Sequence, residues 1–417
     1  MKKNALGTYR WRMVALLFFA TTINYIDRGV LGILAPDLQI RLNWSESDYG
    51  YIVMAFQASY AIGLITTGGI LDRIGTRLGY SLAMILWSLA GILHALGRSA
   101  FSFGVARFAL GLGQSANFPA AVKTVSEWFP KRERALATGI FNAGSNLGAI
   151  LTPVIIPWIA LKWNWQWAFI ITGALGFIWL LFWLPVYKEP EKCLKLSLSE
   201  KEYILQDGEE STEKVPWHRI IPHRQTLGIC LARFFTDPIW WFFLYWLPKF
   251  LDKSFGIDLT TIGPPIILIY VISIGGSVTG GWLSSFFIQK GKNPVAARKS
   301  SIFLLALLVI PIFFATRASN LWPAVILISM ATFAHQGYAA NIFTIVSDIY
   351  PRNAVGSMVG LSGFAGAIGG VLFSGAVGFI LEATNNYYII FGFASIAYLL
   401  CWASLKLFVP DNEKIVL

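Results

Sequence analysis

Charged side chains are scarce in this chain. Aspartate, glutamate, lysine and arginine make up 13% of its 417 residues, about half the roughly 25% share of an ordinary soluble protein. That scarcity excludes the usual solvated globular surface. Cysteine is scarcer still. Cys193, Cys230 and Cys401 are an odd number without metal-ligand spacing, which excludes a disulfide framework and a cysteine-based metal site. The chain has four histidines, no HExxH metal motif, no nucleophile elbow and no histidine–acid cluster. These absences argue against a membrane-embedded enzyme, and no metal or other cofactor is expected.

Apolar side chains are abundant, at 56% of the residues. Runs of about 18 or more mark membrane spans. Twelve are predicted, near 11–35, 48–70, 77–97, 100–124, 135–160, 166–187, 226–248, 260–287, 299–316, 321–345, 355–381 and 386–409. The first follows a basic start but is too long for a signal-peptide core and lacks a cleavage site, so it is expected to remain as a span. The expected fold is an all-α membrane protein of twelve transmembrane helices in two six-helix bundles. The net charge of +11 is not a nucleic-acid signal. With the amino terminus in the cytoplasm, twenty-three of the 33 basic residues fall on inside segments and only six on outside ones. This is the positive-inside rule, with both termini cytoplasmic.

One long polar stretch divides the chain, so the expected organisation is a bundle at 1–187, a cytoplasmic linker at 188–225 and a second bundle at 226–417. Within the linker, LSLSEKEY predicts a short helix capped by Ser199, with Glu200 and Glu202 in its first turn. The halves echo one another. WFPKRERALATGI (128–140) and IYPRNAVGSMVGL (349–361) align at an offset of 221, and GGILDRIG (68–75) has a fainter partner in GGWLSSFF (280–287). Two parallel six-helix repeats joined by a linker is the arrangement of major facilitator transporters. GGILDRIGTRLG also resembles that family's signature between spans 2 and 3. Asp72, Arg73 and Arg77 are therefore expected at a cytoplasmic gate, with Asp72 paired to basic groups across it.

Charges inside spans are the strongest functional signal, because an Asp or Arg at a helix centre costs roughly 2.5–3.5 kcal/mol on insertion scales. Asp27 and Arg28 sit in span 1, Arg107 in span 4, and the i,i+4 pair Arg233/Asp237 in span 7. Adjacent residues point about 100° apart on a helix. Arg28 is expected to face a central cavity and Asp27 to face span 4 and Arg107. A guanidinium in a dry cavity favours a carboxylate, which suggests an organic anion. Moving one negative charge against an inside-negative potential costs about 2.3 kcal/mol per 100 mV. Proton co-transport on a buried Asp offsets it. Arg233 and Asp237 form a structural pair first and a gating or substrate element second, with a kink at Pro238.

Other polar groups could read hydroxyls: Tyr25 and Tyr60; Asn142, Ser145 and Asn146 in span 5; Trp241 and Tyr245 in span 7; His335, Gln336 and Asn341 in span 10. Helix–helix hydrogen bonding or an interfacial aromatic belt explains each of these equally well.

Along nearly its whole length the chain resembles the anion:cation symporter branch of the major facilitator superfamily, and within it the bacterial hexuronate transporters. NYIDRGVLGILAP, RFALGLGQSANFPAAVKTVSEWFPKRERALATGIFNAGSNLGA and RFFTDPIWWFFLYWLPKFL carry the likeness. The resemblance implies a bacterial inner-membrane symporter of sugar-acid anions, hexuronate or aldonate, working by alternating access. It implies Asp27 as proton carrier, Arg28 as carboxylate ligand, Arg107 in the linking charge network and Tyr60 at the sugar-acid site. Ser145, Ser362 and span 10 carry over more weakly. Relatives usually have Glu seven residues after the span 4 Arg, whereas this chain has Gln114, which cannot ionise. Weakened proton-driven uptake with exchange retained is the expectation. The alternatives are an organophosphate/phosphate antiporter and, further off, a membrane-embedded enzyme. The expected partners are the anion, protons and the lipid bilayer; no nucleic acid is expected, and the chain is expected to act as a monomer.

Overall fold

The computed structural model describes residues 7–206, 215–412 and 415, and among them every regular element is helical. In chain order the helices are α1 (Tyr9–Leu42), α2 (Glu46–Ile74), α3 (Thr76–Leu93), α4 (Ala100–Gln114), α5 (Asn117–Trp128), α6 (Lys131–Lys162) and α7 (Trp165–Val186). The linker carries α8 (Leu198–Leu205) and α9 (Trp217–Ile220). The remainder are α10 (Arg224–Tyr245), α11 (Leu247–Phe255), α12 (Gly263–Gln289), α13 (Pro294–Val309), α14 (Leu321–Ile349), α15 (Arg352–Thr384) and α16 (Tyr388–Phe408). Ten helical segments among the described residues are long and apolar enough to cross a membrane. The two expected spans outside that set are 100–124, broken into α4 and α5 at Ser115–Ala116, and 321–345, diluted by the polar residues of α14.

Local chemistry sets the helix ends. Ser45 and Asp48 form a reciprocal capping box at the start of α2, each side chain accepting from the other's backbone N–H at 3.0 Å. Gly75, at φ +80°, makes the tight turn into α3 that a side chain would strain. The repeat is visible in the elements: α4 begins at Ala100 and α5 ends at Trp128, while α14 runs from Leu321 to Ile349, the same offset of 221 at both ends.

Contacts gather the chain into two compact units, Met1–Val30 with Ile62–Thr212, and Leu31–Ala61 with Glu213–Leu417. This differs from a linear division at 187 and 226. The Leu31–Ala61 segment packs with the second unit because its backbone and polar groups find partners there. Tyr49 Oη donates to the Tyr245 carbonyl at 2.6 Å, Ser374 Oγ donates to Gln57 Oε1 at 3.0 Å, and Lys249 pairs with Glu46.

Small residues set the helix approaches, as expected where lipid gives no hydrophobic drive. In the first unit Gly173 and Gly176 of α7 meet Ser88 of α3, and Gly144 and Gly148 of α6 meet the Phe18 and Thr22 carbonyls of α1. In the second unit Gly276 and Gly280 of α12 seat the backbone of α14 at Phe333 and Gly337. Pro238 leaves the Phe234 carbonyl of α10 without its usual helical donor. α15 approaches that carbonyl at Gly369, where a Cβ would collide with it.

Candidate functional site

In the first unit the buried charges of α1 and α4 lie together. Asp27 and Arg28 are each 3% exposed and Arg107 is fully buried. Arg107 donates from Nη2 to the Arg28 carbonyl at 3.4 Å, and its positive charge reaches the Asp27 carboxylate. Asp27 therefore faces span 4, as its helical position predicts. Arg28 points elsewhere, as expected of its neighbour. Its Nε donates to Gln114 Oε1 at 2.9 Å, and its guanidinium lies 5.1 Å from the centre of the Tyr25 ring. Gln114 in turn donates from Nε2 to the Asn24 carbonyl at 3.3 Å. Arg28 is buried, with the Gln114 amide and the Tyr25 ring against its guanidinium.

Ser145 of α6 is partly exposed but spends its hydroxyl on the Asn142 carbonyl of its own helix, at 2.7 Å. Asn142 is exposed and Asn146 half-buried.

The second unit holds another group. Arg233 and Asp237 form an ion pair one helical turn apart, with Nη2 at 2.8 Å from Oδ2, each side chain keeping about 15% exposure. Arg233 Nη1 lies 3.4 Å from both the Ser362 hydroxyl and the Val359 carbonyl of α15. Tyr60 packs edge-on to Trp241 at 5.8 Å, and Trp241 stacks on Tyr245 at 5.9 Å. The aromatic end of α10 is not a lipid-facing belt. Tyr245 is 1% exposed and Trp246 fully buried, because both are packed by the Leu31–Ala61 segment.

Span 10 divides. His335 stacks flat on Trp240 at 4.8 Å, and its Nδ1 shares a hydrogen with Tyr398 Oη at 2.6 Å. Gln336 is half-buried. Asn341 donates to the Gly280 and Gly337 carbonyls at 2.9 and 2.8 Å. It fastens α14 to α12 through its Nδ2.

At the predicted gate, Asp72 pairs with Lys123 of α5 at 2.7 Å, a partner within its own unit. Arg77 donates to the Leu184 carbonyl at 2.5 Å, and Arg73 is exposed. Sequence reasoning missed Lys123 and Glu127, although their i,i+4 spacing on amphipathic α5 is a readable signal. Burial pushes the Glu127 carboxyl up, against the hydrogen bonds of Tyr187 and Thr76 and the charge of Lys123.

Glu200 lies in the first turn of α8, as expected, but the cap of that helix is Ser197, whose hydroxyl accepts from Glu200 N–H at 3.2 Å, rather than Ser199. Glu200 is 1% exposed and caps another helix, accepting from the Tyr9 and Arg10 backbone N–H groups at 3.2 and 3.1 Å. Arg10 joins it from Nη1 at 3.1 Å and reaches Glu133 at 2.9 Å.

A family profile described as the Major Facilitator Superfamily matches residues 17–373. The chain is 35% identical over 380 residues to a hexuronate transporter of Escherichia coli (strain K12), covering 89% of this chain and 88% of that one. It is 38% identical over 308 residues to a galacturonate transporter of Dickeya chrysanthemi, covering 72% and 89%. Its fold is similar to the crystal structure of a bacterial homologue of the human lysosomal transporter Spinster. The TM-score is 0.75 at 17% identity, covering 98% of this chain and all of the other.

Proposed function

The chain belongs to the Major Facilitator Superfamily, and from that membership we propose that it carries a sugar-acid anion, a hexuronate, across the bacterial inner membrane together with protons by alternating access. The relatives named for hexuronate and galacturonate support the substrate class. The observation that carries the reading is the Arg28 guanidinium, 3% exposed and bonded to a neutral amide. An ionisable group so deep within a span is rare and marks a functional position by default. A substrate carboxylate meeting the same Nε and Nη edge makes a bidentate pair of opposite charges, where Gln114 offers a single neutral acceptor. Binding therefore exchanges Gln114 for the substrate. Asp27, beside Arg107, carries a proton, and the cytoplasmic positive bias of the loops sets both termini inside.

The test is a thermal-shift series on purified protein in detergent with D-glucuronate, D-galacturonate and D-galactonate, repeated on Arg28→Ala. One sugar acid is expected to stabilise the wild type and lose that effect in the variant. Equal stabilisation of both proteins, or none by any sugar acid, overturns the reading.

A further inference from the structure

The second unit contains an ion pair that the proposal above leaves idle. Arg233 and Asp237 are 2.8 Å apart on α10, each retaining about 15% exposure. Their surroundings are shaped to them. Gly363 of α15 leaves its absent Cβ 3.3 Å from Arg233 Nη1, and a Cβ at Gly366 would collide with the Asp237 carboxylate. The backbone of α15 thus lies directly against the pair. Phe343 covers the guanidinium at 5.2 Å from its ring centre. The titratable neighbours come from every side: Cys230 on α10 and Tyr60 on α2 act on Arg233, Tyr338 of α14 and Tyr398 and Cys401 of α16 act on Asp237, and His335 of α14 feels the Arg233 charge. Among these described neighbours Arg233 is the one group that is always positive.

We propose that Asp237 is a proton-linked competitor for Arg233, making the pair a second coupling centre of the transporter; this rests on the sugar-acid reading above. The chemistry is an exchange of partners. In the empty site the Asp237 carboxylate holds Arg233. When a substrate anion takes the guanidinium, a displaced Asp237 carboxylate would sit unpaired among aromatic rings and glycine backbone, where an isolated charge is strongly disfavoured. One proton from the entry side binds Asp237 and removes that charge. On release the anion leaves Arg233, the proton leaves Asp237 to the exit side, and the ion pair reforms. One anion and one proton move together, and no net charge is carried by the step. By linkage, anion affinity rises as the proton binds and proton affinity rises as the anion binds, by the same factor.

The arrangement also gives Gln114 a context. The offset of 221 that aligns α4–α5 with α14 brings Gln114 onto His335. The first half has a non-ionising amide where the second half has the His335 ring, which feels the Arg233 charge. Coupling through Asp237 needs no carboxylate at position 114.

The experiment uses purified protein in proteoliposomes, with D-galacturonate and D-glucuronate as probes. For Asp237→Asn, counterflow exchange is expected to remain detectable, while accumulation driven by an inward pH gradient falls about tenfold or more, a coupling change of the usual allosteric size. Protons taken up per anion bound, read with a pH dye in weak buffer, are expected to drop by one. Wild-type accumulation or an unchanged proton count in the variant overturns the proposal. Should Asp237→Asn fail to fold because Arg233 is left buried without its anion, the charge-neutral double variant Arg233→Gln/Asp237→Asn takes its place. With Arg233 gone it is expected to bind the sugar acid at least about tenfold more weakly and to take up one proton fewer for each anion that still binds, and an unchanged affinity or an unchanged count sinks the idea there too. A wild type that exchanges neither sugar acid brings down the function reading and this inference with it. Exchange with unaltered proton counts in the variants defeats this inference alone.

Discussion

Arg28 and Gln114 are bound to one another, Nε to Oε1, at 2.9 Å in the interior of the first unit. The amide cannot take up or release a proton, so on the function proposed above position 114 itself exchanges none.

Gln114→Glu puts an ionisable group against Arg28 with almost no change of shape. Accumulation of sugar acid down an inward pH gradient is expected to rise about tenfold over wild type, and anion affinity at high pH to fall as the new carboxylate competes for the guanidinium. Gradient-driven uptake into vesicles at several external pH values measures it. An unchanged gradient response defeats the assignment.

Glu200→Ala removes the carboxylate that accepts from the first N–H groups of α1 and from Arg10. Losing a helix cap together with one partner of a buried ion pair is expected to cost about 3 kcal/mol. A lowered thermal midpoint in detergent would show it, with Glu200→Gln falling between wild type and Ala because an amide oxygen still accepts.

Asn341→Ala breaks the two bonds to the Gly280 and Gly337 carbonyls. Stability is expected to drop by about 1–3 kcal/mol, while the KM for sugar acid stays within a factor of about two, since a packing residue that touches no substrate removes no binding energy. A large rise in KM with unchanged stability would return Asn341 to the substrate site.

Lys249, on α11 outside the spans, gives a pH signature. Burial pushes its ammonium down from 10.5 to about 8, while Glu46 pulls the other way. The unfolded chain therefore holds a proton between about pH 8 and 10.5 that the folded chain has released. Stability gains from this residue as pH rises through that window and is independent of pH below it. Thermal midpoints from pH 7 to 10 should show this upward contribution in wild type and lack it in Lys249→Met. Identical profiles for the two proteins would contradict it.

Much of the fold was legible because lipid imposes a strict rule: a backbone crossing it must satisfy its own hydrogen bonds, so spans announce themselves as long apolar runs. The i,i+1 geometry of Asp27 and Arg28 was equally legible, since helical angles follow from sequence spacing alone. The partners of polar side chains were not. Glu200 is a first-turn residue of its own short helix, as the spacing predicts, but that it also caps α1, 191 residues away in the chain, was not legible.

The amino-acid sequence by itself determined a polytopic helical protein with charged residues buried in spans 1, 4 and 7 and with an internal repeat, because hydropathy and periodicity are properties of neighbouring residues. The i,i+4 spacing of Arg233 and Asp237 already paired them, but tertiary structure alone decided the distant partners: Arg28 took Gln114, Asp72 took Lys123, and Asn341 took the Gly280 carbonyl. Hydrogen bonds and ion pairs act over about 3 Å, and only packing brings residues a hundred positions apart to that distance.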